Sequence, residues 1–250
     1  MKPFLFVKFN CKGCGNCCTH LKRKMNSKIT YPRYTPFYLY PEPEDVSLLI
    51  FEWEKNALQR EAEKRKMKLK IIPGHISFDK EGKCIVFTWM MDYKICPFYD
   101  DICLVYKKRP LVCQSYPILE TNFLKPRNAT FSISSLCPHI ISINQADIHT
   151  LYHIYGSTLE GAIKKEVAKI WIDNLFNYLH QNNILHKKIY AREEILEAYQ
   201  KSACIGVIDY FLERNFMTKD TIDKNLQKIE NMPKMLFEII GNSKKSYDFI

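Results

Sequence analysis

The chain has 250 residues and a formal charge of +10, from 37 basic and 27 acidic side chains. At 46% hydrophobic it is neither a disordered nor a fibrous composition, and it is long enough to bury a sizeable core. Ten cysteines are too few for a disulfide-dense mini-scaffold, yet nine of them lie in residues 1–137 and four fall between Cys11 and Cys18.

The opening MKPFLFVKFN has about four apolar residues before Lys8 and no small-residue cleavage site, so it does not read as a signal peptide. No apolar stretch nears the roughly 18 residues that a membrane span needs. A cytoplasmic protein is expected, and in a reducing cytosol clustered cysteines read as metal-binding or catalytic before they read as disulfides. FLFVKF at 4–9 predicts a short strand. Residues 1–41 carry eight basic residues, no acidic one, and eight interleaved aromatics, a pattern that can bind phosphates and stack bases. Prolines at 32, 36, 41 and 43 argue against regular structure there.

A helix is expected from 44 to about 70, with Glu44 and Asp45 in its first turn and Val46, Leu49, Ile50 and Trp53 on one face. HISF and KCIVF, separated by DKEG, predict a hairpin over 75–87. Residues 100–109 predict a short helix ended by Pro110, and ATFSISS at 129–135 alternates like a strand. Asn144 caps an expected helix that stops at Gly156. Ser157 and Glu160 form a capping box for a long helix to about His180. Further helices are expected near 191–200, 204–214, 219–229 and 231–240. The fold class is α+β and helix-dominant: a cysteine-rich, metal-centred region over 1–143, then a helical region over 144–250.

The first cysteine segment is Cys11-Lys-Gly-Cys14-Gly-Asn-Cys17-Cys18-Thr-His20. A C-x2-C loop lets two thiolates converge on one ion or cluster, and Gly13 and Gly15 relax the backbone where amides must turn toward sulfur. The first three cysteines have the opening spacing of a ferredoxin-type [4Fe–4S] run, but the fourth cysteine, three residues on and followed by proline, is missing. Adjacent side chains usually point apart, so one site is expected to take three of these four thiols and a distant ligand. The second segment holds Cys96-Pro97, Cys103, Arg109-Pro110 and Cys113, followed by Cys137-Pro138. Cys96 and Cys137 precede prolines, as ferredoxin closing ligands do. Arg109 can offset thiolate charge or pair with Asp100 or Asp101. His20 and His139 are candidates for the shell around a metal site. His149 and His153, four apart without an HExxH glutamate, read as structural or surface residues. Cys84 stays open, and Cys204 reads as buried packing.

These segments together resemble the YkgJ-like cysteine-cluster family, described as zinc- or iron-chelating and including flagellin lysine N-methylases. The resemblance rests on Cys11, Cys14, Gly15, Cys17 and Cys18; on Cys96, Phe98 and Tyr99; and on Cys103, Tyr106, Arg109, Pro110, Cys113, Tyr116 and Pro117. Gln114 stands where the family more often has arginine, and the helical remainder from about 145 is not covered. The resemblance implies a ligand set of Cys11, Cys14, Cys17, Cys18, Cys96, Cys103, Cys113 and Cys137, with Tyr106 and Arg109 beside it. Eight thiols match two Cys₄ sites, filled by iron–sulfur clusters, zinc, or one of each. At least one [4Fe–4S] cluster is favoured. Partners would be a metal or cluster, with a redox partner or a protein substrate beyond it. S-adenosylmethionine enters only if the chain is a lysine methyltransferase. The residues offer no independent support for that alternative, since neither GxGxxG nor a P-loop is present. A nucleic-acid-binding zinc protein is the other alternative.

Overall fold

The computed structural model describes residues 8–21, 38–39, 47–121, 131–141, 148–187, 191–201 and 203–245. The strand expected at 4–9, most of the basic arm, and the Glu44, Asp45 and Asn144 caps lie outside these residues. The chain is mixed α+β and helix-dominant. It divides into two compact units: unit one is 1–12, 111–170 and 219–250, and unit two is 13–110 and 171–218. Each unit therefore draws on both sides of residue 143.

In unit two, a one-turn helix α1 (Asn16–Thr19) is followed by strands β1 (Tyr38–Leu39) and β2 (Leu48–Ile50) and helix α2 (Glu52–Lys64). Strands β3 (Ile71–Pro73), β4 (His75–Phe78), β5 (Cys84–Val86) and β6 (Trp89–Met91) come next, then the small hairpin of β7 (Tyr99–Asp100) and β8 (Ile102–Cys103). One sheet has the order β2-β6-β3. The other has the order β1-β4-β5-β11, where β11 is Ile205–Gly206.

The hairpin expected over 75–87 is present, with Ile76 opposite Val86 and Phe78 opposite Cys84. Its turn is built by Asp79, whose Oδ1 accepts the amides of Glu81 (2.9 Å) and Lys83 (2.8 Å). β5 and β6 are buried on every residue, as near-continuous apolar runs require. Cys84, Val86, Trp89 and Met91 from these strands join Ile50, Leu58, Phe98 and Val105 in one core.

Two expectations are corrected here. The helix foreseen from 44 begins only at Glu52, because Leu48–Ile50 pair antiparallel with Met91–Trp89 as a strand. A short apolar run does not by itself separate strand from helix. Glu54 then caps α2 by accepting the Phe51 amide at 2.8 Å. The helix foreseen at 100–109 is a hairpin instead. Asp101 takes φ 54°, turning the chain so that Tyr99 pairs with Cys103, and only Tyr106–Lys108 makes a 3-10 turn.

Unit one holds α3 (Leu111–Gln114), the antiparallel pair β9 (Ile118–Thr121) and β10 (Phe131–Ile133), α4 (Ile148–Tyr155) and α8 (Lys219–Lys245). The strand expected near 129–135 is β10. Helix α5 (Ser157–Gln181) runs as expected, counting with unit one through Ile170 and with unit two from Trp171. The two helices foreseen at 219–229 and 231–240 are one helix, α8, which continues through Pro233. In unit two, α6 (Arg192–Lys201) and α7 (Val207–Glu213) follow.

Two buried acids tie unit two together across long stretches of sequence. Asp79, 2% exposed, accepts the Tyr210 hydroxyl at 2.9 Å and a guanidinium nitrogen of Arg214 at 3.3 Å. Glu52 accepts the amides of Ile208 (2.9 Å) and Asp209 (3.3 Å) at the start of α7. Burial is the largest cause pushing the Glu52 carboxyl up to about 7; the Ile208 amide opposes it and the charge of Asp209 adds to it.

Asp79→Ala orphans two turn amides and the Tyr210 hydroxyl, and should cost about 1–3 kcal/mol in urea unfolding. Tyr210→Phe should cost less, because it removes only one of those contacts. A neutral Asp79→Ala would remove the turn from the list of stability determinants. Glu52 has its folded-state value above its unfolded one, so its contribution is complete while both states are protonated and is lost as pH rises through the folded value. Unfolding free energy should therefore decline between about pH 4.5 and about 7. In Glu52→Gln, which cannot ionise, that segment of the profile should flatten; an unchanged slope would clear Glu52 as the cause.

Candidate functional site

Gly15 sets the shape of the first cysteine segment. It takes φ 74°, a left-handed conformation, and its carbonyl accepts the amides of Cys18 (2.8 Å) and Thr19 (2.9 Å) to start α1. A Cβ at this position would lie 1.9 Å from the Tyr99 hydroxyl oxygen. Glycine is thus required both by the backbone and by the ring that covers it. The turn brings the Cys17 and Cys18 sulfurs to 4.0 Å of each other. The expectation that these neighbours point apart fails here, because both lie in one tight helical turn rather than in extended chain.

The second segment docks on the first by backbone hydrogen bonds. The Cys96 amide donates to the Cys18 carbonyl at 2.7 Å, and the Leu21 amide donates to the Lys94 carbonyl at 3.0 Å. Tyr99 and Leu104 amides then bond to the carbonyls of Cys96 (3.1 Å) and Phe98 (2.9 Å), folding β7–β8 so that Cys103 returns beside Tyr99. Phe98 is buried in the core of unit two and anchors the hairpin. The end of α2 holds the far side. Arg65 donates to the Leu104 carbonyl at 2.9 Å, and the buried Glu61 binds Lys108 (2.6 Å), Arg65 (2.6 Å) and Lys64 (3.1 Å). These cations, Lys108 foremost, hold the Glu61 carboxyl well down, to about 2.

Four thiols of unit two share this neighbourhood: Cys17, Cys18, Cys96 and Cys103, all half-buried. The hydrogen bond between Cys17 and Cys18 favours the Cys18 thiolate. The bond to Cys96, burial, and the charges of Cys96 and Cys103 outweigh it and push Cys18 up to about 12. Cys17 is raised further, first by its bond to Cys18 and then by burial, while the Arg109 guanidinium pulls it the other way. The Arg109 guanidinium lies over the Tyr106 ring at 3.8 Å, and its Nε donates to the Tyr106 carbonyl at 3.0 Å. The Tyr106 ring is thereby the platform that holds Arg109.

The remaining candidates separate by unit. Cys14 is exposed in unit two, and His20 is exposed with Nδ1 3.0 Å from both the Asn16 carbonyl oxygen and the Thr19 hydroxyl. Cys11, Cys113 and Cys137 belong to unit one, where Cys11 is exposed, Cys113 half-buried and Cys137 buried. Cys113 sits on α3, which α5 meets through Gly161: a Cβ there would come 2.8 Å from Gln114. Lys165 pins the same turn by donating to the Ser115 hydroxyl (3.0 Å) and the Leu119 carbonyl (2.7 Å). Cys137 lies within electrostatic reach of Tyr155, whose hydroxyl donates to the Ile141 carbonyl at 2.8 Å. The Phe9 ring packs on Tyr155 at 5.3 Å, two residues before Cys11. His139 is exposed in the turn after Cys137, and His153 is exposed on α4.

Sequence reading missed one pair. Cys84 and Cys204, 120 residues apart, are interacting neighbours in unit two: Cys84 lies in its core and Cys204 packs against that core. Pairing of β11 with β5 brings them together, and a two-residue strand leaves no periodic signal. Among the described residues, no three or more His, Cys, Asp or Glu side chains stand around a common point as metal ligands would.

Gly15→Ala should destabilise the chain by at least about 1 kcal/mol in thermal or urea unfolding, from the left-handed backbone and the displaced Tyr99 together. An unchanged midpoint would show that the turn accepts a side chain.

No family model, no curated protein and no solved structure matches this chain.

Proposed function

We propose that this chain is a thiolate metal-binding protein whose first site is made by Cys17, Cys18, Cys96 and Cys103, with Arg109 as counter-charge. The observation that carries the reading is the crowding of these thiols. Cys17 and Cys18 are half-buried with their sulfurs 4.0 Å apart, and Cys96 and Cys103 act on Cys18, so the four can shed protons together only against a compensating cation. The donor set suits a thiophilic ion. With Zn–S bonds of about 2.3 Å, tetrahedral geometry sets sulfurs about 3.8 Å apart; Cys17 and Cys18 stand at 4.0 Å. Cys18 neighbours each of the other three, and binding would draw Cys96 and Cys103 around a common point with it.

That spacing favours one ion, zinc foremost, over a cubane cluster, whose thiolates hang on separate irons and stand farther apart. The iron–sulfur reading, favoured from the sequence, comes second on this spacing and is supported by the ferredoxin-like spacing of Cys11, Cys14 and Cys17 and by the Cys-Pro pairs. Cys11, Cys113 and Cys137 are the candidates for a further site in unit one. In this reading the centre braces the β7–β8 hairpin and α1, a structural or redox role. Neither methyl transfer nor nucleic-acid binding gains support from the described residues.

Anaerobic purification followed by zinc, iron and sulfide analysis tests the reading directly. Stoichiometric zinc in a colourless protein supports the single-ion site; iron with sulfide and a broad visible charge-transfer band supports the cluster. A chain carrying none of these, and failing to take up zinc, sinks the proposal. Serine at Cys17, Cys18, Cys96 or Cys103 should abolish stoichiometric metal, and Arg109→Gln should weaken retention about tenfold. Because the ligating thiols must lose protons, uptake should release protons and occupancy should fall as pH falls.

A further inference from the structure

We infer that Cys204 and Cys84 form a thiol–disulfide exchange pair, in which Cys204 attacks a low-molecular-weight disulfide and Cys84 resolves the adduct into an internal Cys84–Cys204 bond. The geometry comes from the sheet. β11 pairs parallel to β5 with Ile205 opposite Ile85, so the preceding residue, Cys204, falls beside Cys84. Cys204 packs on the core cluster that contains Cys84. Facing positions on neighbouring strands stand about 5 Å apart, inside the Cα range that a disulfide spans. Cys204 lies just before β11 in irregular chain, so it can make the remaining adjustment without breaking a ladder bond.

The two thiols differ as an exchange pair requires. Cys84 is fully buried, at 0% exposure, and has no direct approach from solvent. Cys204 is half-buried at the edge of the cluster and open to attack by a small reagent. The Cys84 hydrogen bond is the largest influence holding the Cys204 thiol below its ordinary value; burial opposes it, and the Lys55 ammonium adds to it. Lys55 is fixed over the Trp89 ring at 3.4 Å, with the Glu52 and Asp209 charges acting on it. Cys84 is raised, first by its bond to Cys204 and then by burial. The first of those causes disappears once Cys204 is part of a disulfide, leaving burial as the cause that still holds Cys84 up in the second step.

The chemistry balances without a further reagent. The Cys204 thiolate attacks one sulfur of R–S–S–R, forming Cys204–S–S–R and releasing RS⁻. The Cys84 thiolate then attacks the Cys204 sulfur, forming the internal disulfide and releasing a second RS⁻. The two protein thiols are oxidised, the reagent is reduced, and their two protons leave on the two RSH products.

Oxidised glutathione is a suitable probe on the full chain, read by alkylation of remaining thiols and peptide mass mapping. The expected wild-type product is a linked Cys84–Cys204 peptide, two hydrogens lighter, with little lasting glutathione on either residue. Cys84→Ser should instead accumulate glutathione on Cys204, and Cys204→Ser should leave Cys84 unmodified while the chain stays folded by circular dichroism. Persistent glutathione on wild-type Cys204 without the link would overturn the proposal, as would modification of Cys84 in folded Cys204→Ser. The wild-type arm needs no variant to fold. The assay reads residues outside the proposed metal set, so a failed metal analysis would not decide it.

Discussion

The backbone hydrogen bond from Cys96 to the Cys18 carbonyl joins two cysteine segments separated by 77 intervening residues, and the candidate site depends on it. Without it, Cys17 and Cys18 would be two thiols on an isolated turn. With it, the bond from Leu21 to Lys94 aligns the strands of chain on either side, and the β7–β8 hairpin brings Cys103 back to the same place. Supporting residues act at a distance. Tyr99 closes over Gly15, Phe98 anchors the hairpin in the core, and Glu61 gathers Lys108 and Arg65 against the following loop. Each is a packing or charge constraint that limits how far the thiols can separate.

Buried acids do comparable work elsewhere in unit two. Glu52, Asp79 and Glu61 are each under a tenth exposed, which is costly for a carboxylate unless its oxygens are satisfied. Each is satisfied in a different way. Glu52 takes backbone amides, Asp79 takes amides, a tyrosine and an arginine, and Glu61 takes three cations. The outcome differs accordingly: Glu52 is held up near neutrality and Glu61 is held low. Burial wins where the partners are amides, and charge wins where they are cations.

The sulfurs form distinct populations for the same physical reasons. Crowded thiols beside an arginine favour a metal reading. An isolated pair with one member sealed in a core and the other near its edge favours exchange chemistry. Neither population contains the other's residues.

Much of the local structure was legible in the sequence. HISF-DKEG-KCIVF predicts its hairpin because turn residues separate two β-branched runs, and Ser157 with Glu160 marks the start of α5 because capping is a local interaction. The glycines flanking Cys14 announced a backbone that turns tightly. The motif residues at 17, 18, 96, 103 and 109 were legible as candidates, but not their grouping. What only tertiary structure decided was non-local. Whether Leu48–Ile50 becomes a strand depended on Met91–Trp89 being available to pair, and whether α8 ends at Pro233 depended on the rest of its helix. The partner of Cys84 depended on a two-residue parallel strand formed 120 residues later. Spacing along a chain records which side chains can share a turn; which distant segments meet is set by burial and hydrogen bonding, which have no sequence period to read.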